Sequence, residues 1–249
     1  MAEQPPQTEQ KIDYGVDAPE VVRTLLGLGI SGAAAGTALA AFAPWVALRL
    51  IGVGVAVVAG VPLLLGFSMM LYAWRGKMRL RDWILAKQSW RGDEIVLDVG
   101  AGRGLMAIGA AKLAPLGRVH AIDIWSAVDL TANSAKALAE NTRIGGVADR
   151  VDVQTMDART LAFPNASIDV VLSVLCIHNI EPAADRAKVC EEIARVLKPG
   201  GRAYIADYIE TASYAATFRK LGLRVTGPDR ADAVALGLMA LVVAEKPLQ

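Results

Sequence analysis

The chain has 249 residues, and its 26 basic and 25 acidic residues leave a formal net charge of +1. Because the sequence has no basic stripe interleaved with aromatic residues, nucleic acid is not expected as a partner. The two cysteines, Cys176 and Cys190, form no C-x-x-C pair, so we expect a reducing compartment, no disulfide and no metal site. Hydrophobic residues make up 54% of the sequence, which is more than a soluble enzyme needs.

The amino-terminal third divides into a tail and two apolar runs. The first twenty residues, polar and proline-containing, predict a disordered cytoplasmic tail. Residues 24–43 and 50–73 are each long enough to cross a hydrocarbon core of about 30 Å as a helix. The short link around Pro44 predicts a tight transmembrane hairpin, which we place at residues 21–74. The alternatives are a cleaved signal peptide, for which the first run is too long, and a buried soluble hairpin, which would lack a water-facing side.

A basic juxtamembrane segment, residues 75–92, follows the second run. The positive-inside rule predicts that both termini face the cytoplasm and that the hairpin tip lies outside. Arg49, near the tip, would then snorkel to the outer interface. The basic cluster would hold the rest of the chain against anionic head groups. Its members are Arg75, Lys77, Arg79 and Arg81.

Small residues recur along both apolar runs and predict close helix packing. Gly32 and Gly36 form a G-x-x-x-G pair, and Gly52, Ala56 and Gly60 form a second stripe. We expect these stripes to join the two helices of one chain, because the partner helix is already tethered. The same stripes would also suit a dimer, so the oligomeric state is left open.

Residues 93–249 form the second domain, and their most informative stretch is VLDVGAGRG at residues 96–104. The pattern predicts a buried strand, a glycine turn and a helix over residues 105–114. Free amides at a helix N-terminus, beside glycines that carry no Cβ, suit a nucleotide-like ligand. The alternative is a tight strand-to-helix turn that binds nothing.

The glycine spacing selects among nucleotide-like ligands. It is G-x-G-x-G, with Leu105 at the third glycine position of the dinucleotide-binding pattern G-x-G-x-x-G. An acid in this turn would repel a pyrophosphate but suits a ligand that carries an ammonium group. In this motif the chain resembles the class I S-adenosylmethionine-dependent methyltransferases. The resemblance implies S-adenosylmethionine as cofactor, bound by Asp98, Gly100, Ala101, Gly102 and Gly104.

Two further acids follow predicted strands. Asp123 ends an apolar strand about twenty residues after the glycine turn, where a ribose-binding acid belongs. The resemblance gives Asp123 this role and places Ile124 beside the adenine, whereas the alternative is a simple helix cap. Asp157 and Ala158 follow a third strand and match the family segment that meets the adenine.

The remaining motifs complete the expected sheet. Residues 168–175 predict a central strand, and Ser173 lies near its carboxyl end, where ligands bind in such sheets. Residues 197–208 match the closing motif of the family, and residues 223–246 predict a final hairpin. Together these elements predict an α/β fold: a Rossmann-like, seven-stranded, mostly parallel sheet with helices on both faces, preceded by two transmembrane helices.

Methyl transfer from a sulfonium depends more on positioning the acceptor than on catalytic side chains. If the acceptor must lose a proton, His178 is the candidate base, because an unperturbed imidazole titrates near neutrality. The alternative is that His178 only packs or bonds to backbone. Tyr208, just past the fifth strand, is expected to line the acceptor pocket.

The sequence therefore predicts a membrane-anchored, cytoplasmic S-adenosylmethionine-dependent methyltransferase of a small lipophilic or membrane-resident acceptor. Two alternatives are a protein methyltransferase of a membrane-complex subunit and a noncatalytic membrane sensor that binds the cofactor. The methylated atom is left open.

Overall fold

The computed structural model describes residues 11–231 and 239–248, and a seven-stranded sheet forms its centre. The strands are β1 (Ile95–Val99), β2 (Arg118–Asp123), β3 (Val151–Thr155), β4 (Ile168–Val174), β5 (Leu197–Asp207), β6 (Arg224–Arg230) and β7 (Ala240–Glu245). Their spatial order is β3-β2-β1-β4-β5-β7-β6. Strands β1 to β5 pair in parallel, and β7 is antiparallel to both of its neighbours. The predicted mostly parallel, Rossmann-like sheet is thus confirmed.

Helices cover both faces of this sheet because the central strands are apolar on both sides. In β1, for example, Val96 and Leu97 are both fully buried but belong to different apolar clusters. The helices are α1 (Pro19–Phe42), α2 (Val46–Leu71), α3 (Lys77–Leu85), α4 (Leu105–Leu113), α5 (Ala135–Ile144), α6 (Asp185–Val196) and α7 (Thr211–Lys220). One cluster includes residues of α3, α4 and α5, and the other includes residues of α6 and α7.

The chain reverses its direction of travel across the sheet between β1 and β4. From β1 it passes through β2 to β3 at one edge, and it then returns to place β4 on the other side of β1. In open α/β sheets such a reversal leaves a crevice outside the carboxyl ends of the two neighbouring strands. The glycine turn after β1 and the segment after β4 therefore face a common space.

Helices α1 and α2 pack against each other along a seam of small residues. The buried positions recur every seven residues, the spacing of a left-handed helix pair. A Cβ on Gly36 would meet the backbone of Ala56 and Gly52, so these helices approach at the distance that only glycine allows. The buried residues are Val22, Gly29 and Gly36 in α1, and Gly52, Ala59 and Gly66 in α2.

This seam confirms most of the expected small-residue packing within one chain, with one correction. A Cβ on Gly60 would have nothing within 4 Å, so this residue faces away from α1, and the seam passes through Ala59 instead. The outward faces of both helices consist of exposed apolar side chains. Both helices are long and apolar enough to cross a membrane by length and composition.

Two structured connections join this helix pair to the sheet domain. Helix α2 continues through a π-helical turn, Tyr72–Gly76, into α3, whose Leu80 and Ile84 are fully buried in the domain core. Residues 11–18 precede α1 and lie against the sheet domain through backbone hydrogen bonds. This differs from the predicted disordered tail, whose first ten residues lie outside the described part of the chain.

Gly52 and Gly54 offer a matched test of the helix seam. Gly52→Ala places a methyl group against the backbone of Ala40 and Gly36, whereas a Cβ on Gly54 has open space around it. We expect Gly52→Ala to lower the free energy of unfolding in detergent by about 1–3 kcal/mol. Gly54→Ala should leave it unchanged or raise it by up to about 1 kcal/mol, because alanine favours helix. Equal effects of the two substitutions would contradict this seam.

Candidate functional site

The turn between β1 and α4 depends on its three glycines. Gly100, Gly102 and Gly104 have φ values of +73°, +54° and +89°, a region that other residues rarely adopt. A Cβ on Gly100 would overlap the Cys176 side chain, and one on Gly102 would lie 2.8 Å from Leu130 Cδ2. The turn therefore brings bare backbone to the edge of the crevice and starts α4 with its amide groups near it.

Two carboxylates hold this turn in place. Asp98, at 1% exposure, accepts a hydrogen bond from the Ala107 N–H at 2.8 Å. Asp123, at the end of β2, accepts from the Gly102 N–H at 2.8 Å and from the Trp125 N–H at 2.6 Å. Burial raises the pKa of Asp98 to about 7, and the nearby Asp123 charge adds to this shift. A cation bound beside Asp98 would favour its ionised form.

A cleft of about 370 Å³ opens beside the glycine turn. A smaller cavity of about 60 Å³ adjoins it, and Asp98 and Ala101 line this inner space. The cleft thus gathers residues from the carboxyl ends of β1, β2, β3 and β4. The predicted site residues that line it are Gly100, Gly102, Asp123, Ile124, Asp157 and Ala158.

Two predicted cofactor residues lie outside both cavities. Gly104 caps the N-terminus of α4, where a Cβ would lie 3.2 Å from Ile108 Cδ1, so it shapes the turn from behind. Ser173 lies at 1% exposure within β4. Ser173 is directed away from the cleft because successive side chains of a strand point to opposite faces of the sheet. Val174, the next residue, does line the cleft.

The carboxylate of Asp157 is already paired. It lies 2.6 Å from the Arg159 guanidinium, which also reaches Asp185 at 3.1 Å. This contact lowers the pKa of Asp157, chiefly through the hydrogen bond from Arg159. Asp157 therefore presents a charged, oriented side chain at the rim of the cleft.

His178 and Tyr208, which the sequence placed at the acceptor side, lie together. Their rings meet edge-on with centroids 4.8 Å apart. The Nδ1 atom of His178 lies 2.8 Å from Asp207 Oδ1, and the Asp207 side chain is only 1% exposed. The backbone N–H groups of His178 and Tyr208 also donate to this carboxylate, at 3.3 and 2.9 Å. The imidazole thus lies against a buried acid, but Nδ1 makes no hydrogen bond with the described residues. Neither His178 nor Tyr208 lines the two cavities.

Sequence reasoning missed three contributors to the site. Asp207 ends β5, and only the pairing of β5 with β4 brings it to His178. Asn133 donates to Asp123 Oδ1 at 3.3 Å from the loop before α5. Asp17 lines the cleft from the segment predicted to be disordered. Position at a strand end was an available signal for Asp207, whereas nothing in the local sequence marks the other two.

The fold and the cleft define an α/β domain that binds a nucleoside-type cofactor at the carboxyl end of its sheet. Residues 97–205 match the family described as a methyltransferase domain. This match and the methyltransferase relatives below support a class I S-adenosylmethionine-dependent methyltransferase domain with S-adenosylmethionine as its cofactor. The site fits this group, because bare glycine backbone lies beside a buried acid that a cationic ligand would ionise.

Two similar proteins are named for the molecules on which they act. The 27-O-demethylrifamycin SV methyltransferase of Amycolatopsis mediterranei is 30% identical over 165 residues, which cover 66% of this chain and 54% of that protein. The demethylmenaquinone methyltransferase of Tropheryma whipplei is 31% identical over 136 residues, which cover 54% of this chain and 50% of that protein. The chain thus spans about half the length of these relatives.

Solved structures support the fold alone. A SAM-dependent methyltransferase from Aquifex aeolicus superposes with a TM-score of 0.54 and 20% identity, covering 66% of this chain and 88% of that one. The [4+2]-cyclase SpnF superposes with a TM-score of 0.58 and 18% identity, covering 69% and 81%. At these identities the likeness concerns architecture and not the reaction.

Asp98 gives a pH-dependent prediction. Because its pKa is raised to about 7 from an ordinary value of 3.8, the folded chain keeps a proton that the unfolded chain releases between these values. Raising the pH through this window therefore lowers the free energy of unfolding. The Asp98→Asn side chain does not titrate, so this loss is absent from the variant, and its amide oxygen can still accept from the Ala107 N–H. The free energy of unfolding of the variant, measured relative to wild type, should therefore rise by about 2 kcal/mol from pH 5 to pH 8.

Urea unfolding of the ligand-free protein in detergent, followed by tryptophan fluorescence, measures this difference. Asp185→Asn is the control, because Lys188 and Arg159 lower the pKa of Asp185 and it stays ionised across this range. A pH-independent effect of Asp98→Asn would contradict the raised pKa.

Proposed function

We propose that the protein transfers a methyl group from S-adenosylmethionine to a hydroxyl group of a small lipophilic molecule at a membrane surface. The observation that carries this proposal is the contact between His178 and the buried Asp207 at the carboxyl ends of β4 and β5. A hydroxyl acceptor gains reactivity from a base that takes its proton, whereas a thiolate is already deprotonated.

In this proposal the cofactor lies across the cleft with its parts matched to the lining residues. Asp98 meets the ammonium group through the inner cavity, and the bare backbone of Gly100, Ala101 and Gly102 lies beside the amino-acid part. Asp123 accepts from the ribose hydroxyls. Ile124, Asp157 and Ala158 surround the adenine, while Gly104 and Ser173 support the turn and the strand. When bound, the cofactor supplies an electrophilic methyl group.

His178 acts on the acceptor. With Nδ1 turned to Asp207, its Nε2 atom is available to take the hydroxyl proton, so the oxygen becomes nucleophilic as the proton moves. Asp207 fixes the ring and stabilises the positive charge that forms on it. Because Asp207 is shielded from water, its charge acts on the imidazolium in a medium of low dielectric constant. Tyr208, about half exposed, forms the outer wall beside His178.

The helix pair supports a membrane location. Beyond the exposed Glu20–Arg23 ion pair at the start of α1, the outward faces of α1 and α2 expose apolar side chains such as Leu64, at 73%. At the junction with the sheet domain, the Arg75 guanidinium lies 4.2 Å above the Trp74 ring, an aromatic and basic pair suited to a bilayer interface. Arg49 donates to Ala43 O at 2.9 Å and so caps α1 at the tip.

One member of the predicted basic cluster has a different environment. Lys77 is buried at 3% exposure, so it does not face lipid head groups. Arg75 and Arg79 remain exposed at the junction. We infer that these two residues supply the electrostatic contact with anionic lipid and that both termini lie on the cytoplasmic side.

The named relatives support a small lipophilic acceptor. One is named for methylation at an oxygen of a rifamycin, another for methylation at carbon 4 of a sterol and a third for demethylmenaquinone. The first agrees with a hydroxyl acceptor. A sterol is an acceptor that dissolves in the bilayer, where an anchored active site would meet it.

The two histidines of the chain provide a matched test. His178→Gln should lower methyl transfer about 10²- to 10⁴-fold, because the base for the hydroxyl proton is lost. His120→Gln is the control, since His120 also lies near an acid, Asp152 at 3.4 Å, but in the middle of β2, away from the carboxyl ends of β4 and β5. Circular dichroism should show both variants folded. Equal rates for wild type and His178→Gln would contradict the role of His178.

Transfer is measured by incubating native membranes with the full-length protein and methyl-labelled S-adenosylmethionine, then separating the lipid-soluble, water-soluble and protein fractions. We expect base-stable label in the lipid-soluble fraction. Label confined to protein would favour the protein methyltransferase. Cofactor binding with no label in any fraction would favour the noncatalytic sensor.

A further inference from the structure

A short segment before α1 crosses the cofactor site, and we call residues 11–18 the strap. It pairs with the loop that leads to α5 through an antiparallel bridge between Asp17 and Leu130. The Thr131 N–H donates to Val16 O at 3.0 Å, and the Ala18 N–H donates to Asp129 O at 2.8 Å. The strap then enters α1 directly at Pro19.

A second attachment links the strap to the glycine turn itself. The Arg103 guanidinium, from the residue between Gly102 and Gly104, lies 2.9 Å from the Asp13 carboxylate. Asn141 of α5 donates to Asp13 O and to Arg103 O, both at 2.8 Å. These contacts tie the start of the strap to the backbone that approaches the cofactor.

The third attachment is a buried lysine. Lys77, the first residue of α3, places its Nζ atom 2.9 Å from Gly15 O and 3.3 Å from Tyr14 O. The same atom lies 2.9 Å from Asp17 Oδ2, and the Lys77 side chain is 4% exposed. An ammonium group has three donors and no acceptor. Two of them bond to the carbonyl oxygens of Tyr14 and Gly15, and the contact with Asp17 is a close ion pair, because Asp17 Oδ2 accepts no hydrogen bond from the described residues.

The strap closes the inner part of the site. Tyr14 and Asp17 line the inner cavity together with Asp98, the acid that we match to the ammonium group of the cofactor. Asp17 and Leu130 also form part of the wall of the larger cleft. A ligand that occupies the inner cavity is therefore enclosed by the strap and by the glycine turn.

We propose that Lys77 is a positioning residue that latches the strap over the amino-acid end of the cofactor and slows the release of that cofactor. The latch has both of its ends fixed to the helix pair, because the strap continues into α1 and Lys77 follows the π-helical turn after α2. This inference rests on the proposed function only through the cofactor, and it is independent of the acceptor.

The test compares Lys77→Met with Lys112→Met, the same substitution at an exposed position of α4. Stopped-flow measurements on the full chain in detergent give the association and dissociation rates of S-adenosylhomocysteine. We expect Lys77→Met to dissociate at least tenfold faster than wild type, with Lys112→Met unchanged. Equal dissociation rates for folded Lys77→Met and wild type would overturn the latch. Absence of binding by wild type would instead contradict the proposed function as well.

A covalent lock tests the strap even if Lys77→Met fails to fold. Asp17 and Leu130 are a directly opposed pair flanked by hydrogen bonds, a geometry with Cα atoms about 4.5 Å apart, which a disulfide can span. In the double variant Asp17→Cys, Leu130→Cys, oxidation should slow both association and dissociation at least tenfold, and reduction should restore them. A merely structural strap would leave both rates unchanged on oxidation, and that result would overturn the proposal.

Discussion

The turn between β1 and α4 is the constraint on which the rest of the site depends. Its three glycines adopt left-handed φ values, and the Gly100 position touches Cys176 so closely that no side chain fits. Asp98 and Asp123 each bond to backbone at this turn or in the helix that follows it. Every other part of the site approaches this backbone: the β2 end, the loop before α5, the segment after β4 and the strap. A cofactor bound here would occupy the space that the glycines leave open because they carry no side chain.

The helix pair is built into the sheet domain at both of its connections, which matters for function. Helix α2 runs without a break in helical structure into α3, whose apolar residues are part of the domain core. Only a few residues of the strap separate the start of α1 from the contact between Asp13 and Arg103 of the glycine turn. A helix pair joined in this way has a fixed orientation relative to the cleft, whereas a flexible linker would leave that orientation free. The proposed acceptor class follows from that fixed placement.

The sequence predicted what depends on local pattern. A strand followed by a glycine turn and a helix is present at the predicted place, and Asp123 ends the next strand, as the spacing of the motif indicated. It could not predict contacts between elements distant in the chain. Asp207 reaches His178 only through strand pairing, and Lys77 is read as a surface charge until the strap is seen to cover it. The strap looked disordered because it is polar, yet its backbone groups find partners on the domain.

Calorimetric titration with S-adenosylmethionine tests the central claim, that the cleft beside the glycine turn binds this cofactor through Asp123. The account predicts one site per wild-type chain and at least tenfold weaker binding by Asp123→Ala, because hydrogen bonds to a charged group contribute about 1.5–3 kcal/mol. Asp149→Ala, at an exposed carboxylate paired with Arg150, should bind like wild type. No binding by wild type, or equal binding by Asp123→Ala, would contradict the account.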